Sequence, residues 1–158
     1  MAQLARISSG TAWEPVAAYS RAVEAGEFVA VSGTTATDER GLVVGEGQMY
    51  VQARQALLNI RSALEKVGLS MHDVVRTRMF VTDISRFAEV ARAHHEFFAA
   101  APPASTLVEV RRLLLPAMLI EIEADAYRGS ALGPKALERA KPKMAGKKKS
   151  ASTSKHHK

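Results

Sequence analysis

The spacing of apolar residues predicts two amphipathic helices in the middle of the chain. Apolar positions between residues 49 and 67 recur every three or four residues, as in a helix with one buried face. Residues 85–100 repeat the pattern after a capping residue at Thr82 or Asp83, and the prolines at 102–103 end it. The apolar positions of the first helix are Val51, Ala53, Ala56, Leu57, Ile60, Ala63, Leu64 and Val67.

Alternating apolar and polar positions predict strands on either side of these helices. The predicted strands are residues 19–23, 27–32 and 74–81, followed by two at 103–113 and 119–126. The predicted order, β-β-α-β-α-β-β, indicates the α+β class, with a mixed sheet covered by two helices. Two helices cover only one face of such a sheet, so we expect the other face to pack against further copies of the chain.

Charge divides the 158 residues into two parts. Residues 131–158 have eight Lys, one Arg and one Glu, a net charge of +8, whereas residues 1–130 have 13 Lys and Arg against 15 Asp and Glu, a net charge of −2. We expect one domain at 1–130 and a disordered, Lys-rich tail at 131–158, which has little apolar surface to bury. The tail could serve for solubility or bind nucleic acid weakly through phosphates.

Composition limits the remaining function classes. The chain has no Cys, which excludes disulfides and thiolate metal sites. It has no stretch of about 20 apolar residues, so we expect no membrane span and a cytoplasmic location. His94 and His95 are adjacent on the second predicted helix and face different directions. We therefore predict no metal site and no cofactor.

Several motifs occur in an order that resembles the RidA (YjgF) family of imine deaminases. They are Tyr-Ser-Arg-Ala-Val at 19–23, Val-Ser-Gly at 31–33, the first helix from Gln52, the strand from Val74, and the closing Ile-Glu-Ile-Glu at 120–123. The resemblance covers about residues 5–128. It implies a chorismate-mutase-like fold and a homotrimer with a barrel-like core and small-molecule clefts at the subunit interfaces.

The same resemblance implies a set of site residues. The catalytic positions of the family fall on Tyr19 and Glu121, and a Ser-Gly pair that contributes to the cleft falls on Ser32 and Gly33. Family deaminases bind the substrate carboxylate with an arginine early in the penultimate strand, because guanidinium pairs bidentately with carboxylate. At that position this chain has Ser105.

The residues leave three alternatives open. Glu123 shares the strand face of Glu121 and competes for its role, and Glu121 could instead form an intersubunit salt bridge. Arg21 shares the face of Tyr19 and could bind substrate in place of the missing arginine, or it could be a solvated or interface-pairing residue. Arg111 lies six residues from Ser105, about 20 Å along an extended strand, and is too distant to replace an arginine there.

Two functions follow from this pattern. One is a hydrolase, similar to the deaminases, that acts on imines, enamines or related small metabolites but is not a standard 2-iminoacid deaminase, because Ser105 replaces the arginine. The other is a non-catalytic trimer that binds a small metabolite in the same clefts. In both, the partners are a small-molecule ligand and two further copies of the chain.

Overall fold

The structure is a computed structural model that describes residues 4–129. This part of the chain forms one six-stranded sheet and three α-helices, with short 3₁₀ turns at Met71–Asp73 and Ile84–Arg86. The strands are β1 (Leu4–Ile7), β2 (Ala22–Ala25), β3 (Phe28–Thr34), β4 (Val74–Val81), β5 (Ala104–Glu109) and β6 (Ile120–Tyr127). The helices are α1 (Trp13–Ala17), α2 (Met49–Glu65) and α3 (Phe87–Phe98).

The sheet is mixed, and its strand order is β1-β2-β3-β6-β4-β5. β4 and β5 run parallel because α3 connects them as a crossover, whereas every other neighbouring pair is antiparallel. The closing strand β6 is inserted between β3 and β4, in the centre of the sheet. Residues distant in sequence therefore meet around β6.

The hydrophobic core lies between the sheet and the helices. The buried face of α2 follows the predicted spacing, with Ala53, Leu57, Ile60 and Leu64 fully or almost fully buried. From the sheet, alternate residues of each central strand point toward these helices, as the two-residue period of a strand requires. They include Val29, Val31, Met79, Val81, Ile120, Ile122, Ala124 and Ala126.

The opposite face of the sheet has no helix packed on it among residues 4–129, and we call it the open face. It presents the alternate residues of β4 and β6, and these include charged side chains. Arg78 Nη1 lies 3.5 Å from a carboxylate oxygen of Glu123 and 3.3 Å from one of Asp125. The open face thus combines ion pairs with partly exposed apolar residues such as Val108.

The α+β class and the mixed sheet predicted from sequence are confirmed. The strand predicted at 19–23 begins later, at Ala22, because Ala18 takes a left-handed conformation (φ 54°) at the end of α1 and delays strand pairing. β1 and α1 were not predicted, since β1 has only four residues and three of them are exposed. The predicted tail lies outside the described residues. No helix in residues 4–129 has the length and apolar character needed to cross a membrane.

Candidate functional site

Arg21 is the centre of the first group of candidate residues. Arg21 is only 8% exposed and lies immediately before β2. Nη1 donates to the carbonyl oxygen of Gly33 at 2.8 Å and to the hydroxyl of Thr34 at 2.9 Å, and Nη2 donates to the hydroxyl of Tyr19 at 3.0 Å. Arg21 therefore joins Tyr19 to the end of β3.

Gly33 lies in an irregularity of the β3–β6 ladder. Between Val31 and Thr34, β3 advances by three residues while the paired segment of β6 advances by only two. A β-bulge has this extra residue and redirects the strand. The Glu121 carboxyl packs directly over Gly33, where a Cβ would overlap Oε1. Glycine is needed here for the close approach of a side chain, and the sequence motif at 31–33 is explained by it.

Glu121 is a half-buried carboxyl with a raised pKa. Its neighbours on β6, Ile120 and Ile122, are fully buried toward the helices, so its side chain points to the open face. Burial raises the pKa of Glu121, the nearby Glu123 carboxylate raises it further, and Arg21 lowers it. Glu123 itself is paired with Arg78. Of the two carboxylates that the sequence left open, the structure places Glu121 beside Gly33 and Arg21.

Ser32 supports this group from within β3. Its hydroxyl donates to the carbonyl oxygen of Ser20 at 2.7 Å, and its backbone N–H donates to the carbonyl of Arg21 at 3.0 Å. These bonds fix the segment that carries Tyr19 and Arg21 against β3. Four of the predicted site residues, with Ser32 behind them, are thus brought together: Tyr19, Arg21, Gly33 and Glu121.

Ser105 lies elsewhere, on the helix-facing side of the edge strand β5. It is paired in register with the fully buried Thr77 of β4. The Thr77 hydroxyl lies 3.0 Å from Ser105 Oγ and 3.0 Å from Nε2 of His94 on α3. Burial lowers the pKa of His94, so this chain of hydrogen bonds is uncharged at neutral pH.

A groove of about 430 Å³ runs between α3 and β5, with Ser105 in its wall. Its polar contributors are Ser105, His94 and His95. The other side chains that line it are apolar: Met79, Phe87, Val90, Ala91, Phe98, Ala99, Pro102, Pro103 and Leu107. Among the described residues that line it, none is Lys, Arg, Asp or Glu.

Within one chain, Ser105 and Glu121 lie far apart. Ser105 pairs with Thr77, Thr77 pairs with Ala124, and Glu121 is three residues from Ala124 along β6. Strand spacing and rise place the two Cα atoms roughly 14 Å apart, and the side chains point to opposite faces of the sheet. The predicted site is therefore divided between two surfaces of one chain.

Sequence reasoning missed the contributions of Thr77 and the groove itself. His94 follows the buried Val90 by four residues and so lies on the same face of α3, and a polar residue on an apolar face is the signal that could have marked it. Thr77 is likewise a polar residue among the buried positions of β4. Their meeting at Ser105 depends on the parallel pairing of β4 and β5, which no local pattern specifies.

Comparison with known proteins identifies relatives along most of the described chain. The family model described as Endoribonuclease L-PSP matches residues 9–128. A crystal structure of Rv2704 from Mycobacterium tuberculosis, a member of the YjgF/YER057c/UK114 family, superposes with a TM-score of 0.73 at 43% identity, covering 79% of this chain and 99% of that one.

Two curated relatives extend the comparison. The 2-iminobutanoate/2-iminopropanoate deaminase of Salmonella typhimurium is 37% identical over 125 residues, which are 77% of this chain and 96% of the relative. The uncharacterized protein SCO2049 of Streptomyces coelicolor is 36% identical over 125 residues, 79% of this chain and 92% of the relative. The chain therefore belongs to the Endoribonuclease L-PSP family, which includes the RidA (YjgF) proteins that its motifs resemble.

Proposed function

We propose that this protein hydrolyses small imines or enamines, with Glu121 as the acid–base residue. The observation that carries the proposal is the Glu121 carboxyl, half-buried over Gly33 with a raised pKa. A carboxyl of this kind keeps its proton to a higher pH than an exposed one and is a stronger base once ionised. The deaminase named among the relatives supports the same reaction class.

The reaction needs one water, and both of its hydrogens end on the nitrogen. Water adds to the carbon of the C=N bond and gives one proton to Glu121 as its C–O bond forms, and Glu121 passes this proton to the nitrogen to make a carbinolamine. Glu121 then moves the remaining hydroxyl proton to the nitrogen as the C–N bond breaks with its electrons going to nitrogen, and carbonyl and amine products leave. Tyr19 accepts a hydrogen bond from Arg21, so the hydrogen of its own hydroxyl is left to donate to the substrate.

Arg21 has a positioning role in this proposal. Three of its hydrogen bonds go to Tyr19, Gly33 and Thr34 of its own chain. Those bonds fix the orientation of Tyr19 and keep the guanidinium close to Glu121. A substrate carboxylate would have to compete with them, so we assign the site no strong carboxylate-binding group.

The cleft is proposed to form between two copies of the chain. Glu121 and Tyr19 lie toward the open face, whereas Ser105 and its groove lie under α3, roughly 14 Å away within one chain. A homotrimer, as the family resemblance implies, would place the groove of one subunit against Glu121 of the next. Ser105 then contacts the substrate where family deaminases have their arginine.

Substitution of Glu121 tests the proposal directly. Glu121→Gln keeps the shape but removes the proton transfer, so kcat/KM for hydrolysis of a small imine should fall about 10²- to 10⁴-fold. Glu123→Gln is the matched control, two residues along the same face and paired with Arg78; its activity should stay within about threefold of wild type. Equal losses in the two variants would contradict the assignment of Glu121.

Ser105→Arg tests the effect of the missing arginine. The wild type should hydrolyse carboxylate-bearing iminoacids weakly, since a charged hydrogen bond contributes about 1.5–3 kcal/mol, or roughly tenfold to more than a hundredfold in affinity. The Ser105→Arg variant should gain that factor in kcat/KM on 2-aminoacrylate-derived iminopropanoate. Wild-type turnover at the level of the Salmonella deaminase would overturn this part of the proposal.

A second candidate function is binding without catalysis, and Ser105 is the observation that favours it. If the wild type and Glu121→Gln hydrolyse every imine at the same rate while both still bind ligand, the clefts serve only for binding.

A further inference from the structure

We infer that the groove between α3 and β5 binds the apolar body of an uncharged ligand, with the Ser105 hydroxyl as its hydrogen-bonding partner. The inference rests on the proposed function for the kind of ligand, a neutral imine, enamine or carbonyl compound with an aromatic or branched aliphatic group. It goes further by assigning the substrate class, and it can be tested by binding alone.

The lining of the groove selects against charge. No Lys or Arg side chain among the described residues lines it, and its walls are mostly apolar, with Phe87, Phe98 and Leu107 among them. Moving an ionised carboxylate from water to such a surface is costly unless a partner compensates it. A neutral group with one hydrogen-bond acceptor suffers a much smaller penalty.

The hydrogen-bonding group at the polar end of the groove is the Ser105 hydroxyl. Thr77 donates to Ser105 Oγ at 3.0 Å, which leaves the Ser105 hydrogen to donate to a ligand oxygen or nitrogen. His94 lies behind Thr77 at 3.0 Å and, with its pKa lowered by burial, adds no charge at neutral pH. Ser105 therefore offers one uncharged hydrogen bond.

The C-terminal end of α3 also disfavours an anionic ligand in the groove. Ala99, Pro102 and Pro103 line the groove together with Ser105, so the polar end lies near the C-terminal end of α3. The carbonyl groups at a helix C-terminus carry partial negative charge and repel anions. The volume of about 430 Å³ is in the range of small-molecule sites.

A matched pair of probes tests the inference. Benzamide and benzoate have nearly the same size and shape but differ by one negative charge. We would titrate each into the full-length protein at pH 8, above the ordinary range of histidine titration, and follow binding by NMR. Benzamide should bind at least about tenfold more tightly than benzoate to the wild type, a factor equal to about 1.4 kcal/mol.

Three variants locate the binding. Ala91→Leu fills the groove from α3 and should weaken benzamide binding at least fivefold, whereas Ala88→Leu, on the exposed side of the same helix, should leave it unchanged. Ser105→Arg should reverse the preference toward benzoate. Equal or tighter binding of benzoate by the wild type, or benzamide binding unaffected by Ala91→Leu, would overturn the inference.

The outcomes distinguish this inference from the proposed function. Selective benzamide binding without imine hydrolysis would refute the enzyme and retain the neutral-ligand groove. Hydrolysis that depends on Glu121 but prefers carboxylate-bearing iminoacids over a neutral imine would retain the enzyme and refute the groove's selectivity.

Discussion

At the scale of single residues, the contact between Gly33 and Glu121 is the tightest constraint on the candidate site. The Glu121 carboxyl occupies the space that a Cβ at position 33 would need. The atom in the way belongs to the end of a flexible side chain, so an added methyl would displace the carboxyl more readily than the backbone. The identity of residue 33 therefore controls the position of the Glu121 carboxyl, the proposed acid–base group.

Gly33→Ala should reduce activity much more than stability. We expect kcat/KM for imine hydrolysis to fall at least tenfold, because a displacement of about 1 Å at a reacting group can cost up to 10²-fold. The free energy of unfolding should change by less than about 1 kcal/mol, since Gly33 has no positive φ that an alanine would strain. Full activity in this variant would show that the contact does not position Glu121.

The raised pKa of Glu121 makes a prediction about stability and pH. A carboxyl whose pKa is higher in the folded than in the unfolded state binds its proton more tightly when folded. The wild type should therefore lose stability relative to Glu121→Gln as the pH rises from about 4.5 through the raised pKa. Urea unfolding of both proteins between pH 4 and pH 8 measures this difference; a constant difference would contradict the shift.

At the scale of elements, Gln52 connects the long helix to the strand that carries Glu121. Gln52 is fully buried in α2. Its amide nitrogen donates to the carbonyls of Ala117 at 2.7 Å and Gly45 at 3.2 Å, and its amide oxygen accepts from the backbone of Leu119 at 2.8 Å. These bonds hold the entry to β6 only two residues before Glu121.

Gln52→Leu should destabilise the fold by about 2–4 kcal/mol, because it leaves buried backbone groups without partners. Gln55→Leu is the control on the same helix, since the Gln55 amide bonds only the side chain of Asn59, and it should cost less than about 1 kcal/mol. Unfolding at one fixed protein concentration checks both values. A Gln52 variant as stable as the control would show that packing alone holds β6.

At the scale of the whole molecule, the proposed cleft lies on two surfaces of one chain and would need more than one chain to form. Ser105 and Glu121 point to opposite faces of the sheet, and the open face carries charged and apolar residues with no helix over them in residues 4–129. A cleft that uses both groups has to combine surfaces of neighbouring subunits. We expect a native mass about three times the chain mass of 17.1 kDa.

Mixed oligomers test whether the cleft is shared. Alone, Glu121→Gln should be nearly inactive because it lacks the acid, and Ala91→Leu should keep at most about a fifth of wild-type activity because its groove is filled. If each cleft takes Glu121 from one chain and the groove from another, co-refolding equal amounts should restore about a quarter of wild-type activity, the fraction of interfaces that pair two intact halves. No recovery in an oligomer shown to be mixed would place both halves in one chain.

The sequence alone determined the α+β class, the two amphipathic helices, the family and the position of Glu121 on the face opposite Ile120 and Ile122. These follow from local periodicity and from motifs, which are properties of adjacent residues. Tertiary structure decided that Glu121 rather than Glu123 lies over Gly33, and that Ser105 joins Thr77 and His94 under α3. Those contacts depend on the insertion of β6 between β3 and β4 and on the parallel pairing of β5 with β4. Both arrangements join residues that are far apart in the chain.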